Sequence, residues 1–198
     1  MANKKVIIIV LSILLGTFLA YTYFANKNNP LINKYNNVQY NAKVQIVDFF
    51  DPACGACAQS HFFVKDLKET NPDISVSLRY APLHPDSIRV VTILEATKKQ
   101  DMFLESLEAT LHFQNKWVGK PKHNIDALLE ILSNLGLDME KLKNDIKSSD
   151  VIKVVEEDIK DKNTLKIKKT PTYYINTKLL ERYSLTNLRD TVLMELNK

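Results

Sequence analysis

Fourteen residues, Val44-Gln45-Ile46-Val47-Asp48-Phe49-Phe50-Asp51-Pro52-Ala53-Cys54-Gly55-Ala56-Cys57, constrain this chain more than any other stretch. The alternating apolar run at its start has the period of a strand. Asp51-Pro52 breaks that run, and beyond Cys54 the apolar residues Phe62, Phe63 and Leu67 return at helical spacing. The protein's two cysteines therefore stand where a strand has ended and a helix begins. Cysteine reacts as the thiolate, and the open N–H groups and dipole of a helix N-terminus stabilise an anion. Cys54, at the first turn, is the better placed nucleophile. Cys57, three residues on and slightly inside, is within reach to close a disulfide. Together they describe a redox switch.

The residues alone leave three other roles open. A purely structural disulfide gains little, because closing so short a loop removes little unfolded-state entropy. Zinc wants four ligands; there is no second C-x-x-C, and His61, His84, His112 and His123 are scattered without a close pair. Two inert core cysteines would not call for the Gly55-Ala56 spacer or the preceding Pro52, which mark a shaped turn.

Ahead of this stretch, Met1 to Lys5 is short and basic, and Val6 to Phe24 runs uncharged and mostly apolar for 19 residues. That is about the length that spans a bilayer as a helix. Signal-peptide cleavage wants small residues at both key positions. Ala20 would have to pair with Phe18 and Ala25 with Tyr23, so residues 1–24 read as a retained signal-anchor, with a cleaved leader and a soluble periplasmic protein as the alternative. Tyr21 and Tyr23 sit where interfacial aromatics belong, and Lys4 and Lys5 place the N-terminus in the cytoplasm and the domain outside. An oxidising compartment is where dithiol–disulfide traffic has work to do. Residues 25–42 are rich in asparagine, lack Asp and Glu and carry Pro30; they read as a tether, with at most a short strand near Val38–Tyr40.

Residues 43–198 form the domain. A chain that is 45% hydrophobic and 25% charged suits one globular domain with a real core. The formal charge of +4 comes from scattered lysines. No Arg-rich cluster is interleaved with aromatics, so nucleic acid is not an expected partner. Ile74 to Tyr80 alternates as a strand, and Ala81-Pro82-Leu83-His84-Pro85 ends it. From about 86 to 163 the pattern is helical in pieces. It lapses around Asn115–Asn124, where Trp117 and His123 are read as closing the block over its core rather than shaping a client groove. Asn124, Asp138 and Asp150 (or Ser149) are the expected N-caps, with Gly136 a C-terminal stop. Lys169-Thr170-Pro171-Thr172-Tyr173-Tyr174-Ile175-Asn176 returns as a strand whose early proline need not donate to a ladder. A turn, a short strand at Leu179-Leu180 and a last helix capped by Ser184 or Thr186 complete the chain.

A strand with an acid six residues before C-G-x-C, a helical block, then Thr-Pro before a strand and a final helix resembles the DsbA-like thiol:disulfide oxidoreductases of the thioredoxin superfamily. The resemblance covers Val44 to the C-terminus. It implies an α/β, thioredoxin-like fold with a helical insertion, here preceded by one N-terminal transmembrane helix. It also implies that Cys54 is the nucleophilic and Cys57 the resolving cysteine of a redox-active disulfide. Asp48 matches the buried acid that assists proton transfer at the resolving thiol, a task that a raised pKa suits. Thr170 and Pro171 match the cis-proline loop against the C-x-x-C, where an extended substrate segment can pair with the backbone. No metal and no organic cofactor is implied.

Two departures qualify the match. Gly55-Ala56 stands where the strongest oxidants carry Pro-His, so no side chain between the cysteines can donate to the Cys54 thiolate, and a less depressed pKa and a lower potential are expected. Lys169 stands where glycine is common and is expected to bring positive charge near the thiols. The expected protein is a membrane-anchored, extracytoplasmic oxidoreductase held in the inner membrane through residues 6–24. It would exchange the Cys54–Cys57 disulfide with client protein thiols and be re-oxidised or re-reduced by a membrane redox partner. The alternatives are a tethered thiol reductase and a non-catalytic thioredoxin-like module that binds a metal or a protein.

Overall fold

A computed structural model describes residues 4–27 and 42–198, and in the first stretch the side chains of residues 10–21. The two stretches fall into separate compact units. The first is one helix, α1 (Lys4–Lys27), whose described apolar side chains, Leu11, Leu14, Phe18 and Leu19 among them, are exposed. Among the described residues no helix is long and apolar enough to cross a membrane. The transmembrane helix expected over residues 6–24 is therefore not supported as a span. Of the tether expected over 25–42, residues 25–27 continue α1. Residues 28–41, with the short strand near 38–40, lie outside the described residues.

The second unit runs β1 (Val44–Phe50), α2 (Gly55–Thr70), β2 (Ile74–Tyr80), α3 (Ser87–Thr97), a 3-10 turn at Lys98–Gln100, α4 (Phe103–His112), α5 (Gln114–Trp117), α6 (Ile125–Asn134), α7 (Met139–Asp145), α8 (Ser149–Thr164), β3 (Thr172–Ile175), β4 (Lys178–Leu179) and α9 (Leu185–Leu196). The sheet order is β2-β1-β3-β4. β1 pairs in parallel with β2, Val44 opposite Ile74, and antiparallel with β3, Ile46 opposite Ile175. A parallel pair needs a crossover, which α2 supplies.

β1 is the most buried strand because both of its faces are covered. Val44 and Ile46 meet Val64, Tyr173, Leu188 and Val192 in one core. Phe50 and Tyr80 join a second core, built mainly from Val90, Leu94, Leu107, Trp117, Leu128 and Leu132. The helical block thus has its own interior and meets the sheet at the end of β1 where the cysteines follow.

Local chemistry sets the helix ends. The side chains of Asn124, Asp138 and Ser184 accept N–H bonds from Ala127, Lys141 and Asn187, satisfying donors that a helix start leaves open. Gly136 stops α6 with φ +93°, a conformation that costs glycine nothing. The cap of α8 is Ser148, one residue before the expected Ser149, and Asp150 lies inside the first turn. The irregular segment also contains a short helix, α5, that periodicity did not show. Trp117 in it is fully buried, donates its indole N–H to the Thr110 carbonyl at 2.8 Å and meets the His123 ring edge-on.

The block is pinned to the sheet by charge. Arg79 on β2 is 1% exposed and donates to Asp158 and to Asp161 of α8, each at 2.6 Å, while Asp158 also accepts the Tyr80 N–H. Removing Asp158 leaves the buried Arg79 charge only partly compensated by Asp161 and takes the acceptor from the Tyr80 N–H. Asp158→Ala is expected to cost about 3–5 kcal/mol in denaturant unfolding. Glu140→Ala, which breaks an exposed pair with Lys143, should cost under about 1 kcal/mol.

Candidate active site

β1 delivers its last residues into a turn that packs against the helical block, and one carboxylate holds that turn. Asp51 is 0% exposed. Its side chain accepts the N–H of Ala53 at 2.9 Å, of Leu83 at 2.7 Å and of His84 at 2.9 Å. It also accepts the Ser87 hydroxyl at 2.7 Å and contacts the His84 ring at 2.9 Å. Burial alone would push its pKa up, but the Leu83, His84 and Ala53 N–H groups and the His84 ring outweigh it and hold Asp51 below its ordinary value. From the other side, Gln114 donates to the carbonyls of Pro52 at 2.7 Å and Cys54 at 3.1 Å.

On this turn Cys54 is the N-cap of α2 and partly exposed, whereas Cys57 is 1% exposed. The two thiols are unbonded. Cys54 Sγ lies 3.3 Å from the carbonyl oxygen of Thr170, and the Thr170–Pro171 bond is cis. The loop before β3 therefore sits directly against the first cysteine.

The two sulfurs differ sharply. Cys54 is held down to about 5, chiefly by a hydrogen bond from the Cys57 thiol. Burial opposes this, while Thr170 and the N–H groups of Cys57 and Ala56 reinforce it. With Gly55-Ala56 between the cysteines, the donor to the thiolate is the partner thiol itself. Lys169, expected to bring charge here, is exposed and is not among the main causes. Burial pushes Cys57 far up, helped by its bond to Cys54 and by the charge of Asp48.

Asp48 lies behind the pair, 1% exposed. One oxygen accepts the Tyr173 hydroxyl at 3.1 Å; the other, Oδ1, has no hydrogen-bond partner among the described residues. Burial raises its pKa to about 7 against the pull of the Tyr173 bond, with Cys54 adding to the rise. The structure thus brings Cys54, Cys57, Asp48, Thr170 and Pro171 to one place. Sequence reasoning did not single out Asp51, Gln114 or Tyr173. In the sequence Asp51 reads only as a strand breaker, since all its partners but Ala53 lie more than thirty residues on.

The model of the thioredoxin family matches residues 39–192. The chain belongs to the thioredoxin family. Among solved structures, this thioredoxin relative is similar to a thioredoxin-like oxidoreductase from Silicibacter pomeroyi DSS-3, 22% identical, covering 86% of this chain and 98% of that one with a TM-score of 0.70. It is similar to the thiol-disulfide exchange protein alpha-DsbA2 from Wolbachia pipientis, 20% identical over 87% and 94% of the two chains, TM-score 0.70. BdbD from Bacillus subtilis is 22% identical over 81% and 91%, TM-score 0.65. The fold is therefore DsbA-like. A curated relative, the Na(+)/H(+) antiporter NhaA of Herminiimonas arsenicoxydans, is 27% identical over 140 residues, which are 70% of this chain and 22% of that protein. The chain spans about a fifth of that relative's length.

Two titrations check the electrostatics. Alkylation of the reduced protein should follow Cys54 alone, with a midpoint near pH 5, because Cys57 stays buried and protonated. Linkage has opposite signs at the two acids. Cys54, lowered from 9.0 to about 5, contributes stability to the reduced protein that is present above 9 and lost as pH falls through 5. Asp48, raised from 3.8 to about 7, costs stability that grows as pH rises through 7. Asp48→Asn is therefore expected to stabilise the protein at pH 8 more than at pH 5 in paired denaturant melts.

Proposed function

We propose that this protein is a thiol:disulfide oxidoreductase that exchanges the Cys54–Cys57 disulfide with client protein thiols. The observation that carries the reading is the split between the two sulfurs: an accessible Cys54 held as thiolate beside Thr170, and a buried Cys57 held as thiol beside a carboxyl poised near neutrality. In the oxidising direction a client thiolate attacks Cys54 Sγ, the Cys54–Cys57 bond breaks, and Cys57 leaves as a thiolate that takes a proton from Asp48. A second client thiolate then attacks the client sulfur of the mixed disulfide and releases Cys54 as a thiolate. Two client thiols have become one disulfide, and the protein has gained two electrons that a redox partner must remove.

The low Cys54 pKa supports the oxidising direction, because a stabilised thiolate favours the reduced form and makes the disulfide a better oxidant. Thr170 would pair its backbone with an extended client segment while that segment's sulfur meets Cys54. Residues 1–24 would anchor the domain outside the cytoplasmic membrane, with 25–42 as tether and 43–198 as the catalytic domain. The support for the anchor is the uncharged run from 6 to 24 and a helix whose described apolar side chains are exposed, a surface that water does not favour. A membrane redox partner would then be within reach.

Cys57→Ala should trap mixed disulfides with clients, and Cys54→Ala should trap none, read on non-reducing gels. A reduction potential near about −120 to −180 mV in glutathione buffers fits a disulfide donor, and one near about −270 mV makes the protein a reductase. The full chain should stay with membranes through carbonate washing; release into the wash would sink the anchor without touching the exchange chemistry.

A further inference from the structure

Lysines that chain order scatters are drawn by the fold to the two segments that border Cys54. One is the stretch before the cis-proline. The Thr170 carbonyl oxygen lies 3.3 Å from Cys54 Sγ, and Lys166, Lys168 and Lys169 stand just ahead of it, all exposed. Between them Ile167 is buried and donates its N–H to the Lys162 carbonyl at 3.0 Å. The Lys169 carbonyl accepts the Thr172 hydroxyl at 2.7 Å. These ammonium groups ride on a segment that is held at both ends.

The other segment follows Gln114, whose side chain donates to the carbonyls of Pro52 and Cys54 on the cysteine turn. Lys116, Lys120 and Lys122 come next and are exposed. Their loop is closed at its base by the Asn124 N–H on the Trp117 carbonyl at 2.8 Å, and Trp117 and His123 are buried beneath it. The loop is tight. A Cβ on Gly119 would lie 2.6 Å from the Lys122 carbonyl oxygen, so glycine permits the close approach.

Among the described residues none of these six lysines is in an ion pair, whereas Lys65, Lys99 and Lys141 elsewhere on the domain each hold a carboxylate. Asp161, the acid nearest Lys166 in the sequence, is taken by Arg79. Lys116 rests over the Phe113 ring, 4.7 Å from its centroid, a contact that leaves its charge in place. Nor do these charges hold Cys54 as a thiolate, which is the work of the Cys57 thiol and nearby backbone groups. Like charges gathered without partners repel one another, and an anionic partner relieves that repulsion.

We propose that the two lysine segments form a basic rim that selects clients whose reacting cysteine lies in an acidic, extended stretch. The proposal rests on the oxidoreductase reading and names the client class for the same site. A client strand paired with Thr170 advances about 3.3 Å per residue, so carboxylates two or three residues from its cysteine lie roughly 7–10 Å from Cys54. That is about one Debye length at physiological salt. Lys168 and Lys169 meet them on one side and the Lys116–Lys122 loop on the other. A bilayer lying on the rim would cover Cys54 and Thr170, which a client must reach, so a protein segment is the fitting anion.

The step that reports the selection is attack by the client thiolate on Cys54 Sγ. The client–Cys54 bond forms, the Cys54–Cys57 bond breaks, and Cys57 leaves with the electron pair and takes up a proton.

The test mixes the oxidised full chain with reduced peptides whose single cysteine is flanked by glutamates, by glutamines or by lysines. Mixed-disulfide formation is followed by acid quenching and mass. Each rate is divided by that of the same peptide with hydroxyethyl disulfide, an uncharged reference that removes the effect of flanking charge on the thiol itself. The glutamate peptide is expected to react about tenfold faster than the lysine peptide at low salt, with the ratio falling toward one at about 0.5 M salt. Lys120→Glu with Lys122→Glu, and Lys168→Glu with Lys169→Glu, should each shrink the ratio, and the four together should invert it. Lys147→Glu with Lys153→Glu changes the net charge as much as either pair. Those positions flank Asp150, which pairs with Lys99 beyond the opposite end of α3 from Ser87 and Asp51, so the ratio should hold there.

Equal corrected rates for the three peptides at low salt overturn the rim. So does a ratio that falls as far in the Lys147 and Lys153 variant, which would be net charge acting at large. The wild-type peptide series and its salt dependence decide the question even where a variant fails to fold. The competing anion is tested with the reduced full chain in phosphatidylcholine vesicles with and without phosphatidylglycerol. Slower alkylation of Cys54 by iodoacetamide on the anionic vesicles would assign the lysines to a lipid surface and overturn the client reading; equal alkylation supports it. A wild-type protein that forms no mixed disulfide with any peptide overturns the oxidoreductase reading and the rim together. Exchange with all three at equal rates overturns the rim alone.

Discussion

The geometry at the cysteines depends on the carboxylate of Asp51. Five groups converge on it, three from the backbone and two from the side chains of His84 and Ser87. They come from the turn that carries Cys54 and from the connection between β2 and α3. A buried carboxylate is tolerable only when its lone pairs are filled, and filling these fixes two segments against each other. The turn after β1 is thereby held to the start of the helical block before any sulfur chemistry is considered. Gln114 closes the other side of the same turn, so the block acts as a splint for the C-x-x-C loop.

With the turn fixed, the two thiols part company through a few ångströms of depth. Cys54 caps α2, where N–H groups lack intrahelical partners, and it collects the bonds that favour an anion. Cys57 is carried inward by the first helical turn into the core that Phe50 and Tyr80 share with the block. There burial forbids charge, so its proton stays and serves as the donor to Cys54. Neither cysteine has this character alone. The absence of a donor side chain at Gly55-Ala56 leaves the partner thiol as the main stabiliser of the thiolate.

The sequence shows this arrangement only where interactions are local. The strand, the break at Asp51-Pro52 and the helix after Cys54 follow from periodicity and punctuation, and so do the caps at Asn124, Asp138 and Ser184, whose partners lie two or three residues away. Asp51 is different: it reads as a turn former because the N–H groups that need it belong to Leu83 and His84, which only folding brings near. The same holds for Gln114 under the turn and for Tyr173 on Asp48, 125 residues apart. The short helix at Gln114–Trp117 has no period to reveal it; the burial of Trp117 and its bond to Thr110 hold it in place. A cavity behind Asp48 is invisible for another reason, since it is bounded by four elements and no single residue encodes it.

The sheet contains two buried charge sites, and their contrast explains why Asp48 is left half satisfied. Arg79 is paired on both sides by Asp158 and Asp161, so the fold can compensate a buried charge fully where position is all that matters. Among the described residues Asp48 has only the Tyr173 phenol as a hydrogen-bond partner. The register sets this difference: Asp48 lies opposite Leu78, and Arg79 lies opposite Phe49, whose ring its guanidinium covers. Successive strand residues face opposite sides, so the sheet itself stands between the guanidinium and Asp48. A slip of one residue in β2 would bring Arg79 onto the face of Asp48 and turn it into a permanently ionised carboxylate, unable to take a proton from Cys57 at neutral pH. Incomplete pairing costs stability, but it keeps the proton affinity of Asp48 close to neutrality, where a group that must both accept and release a proton works best.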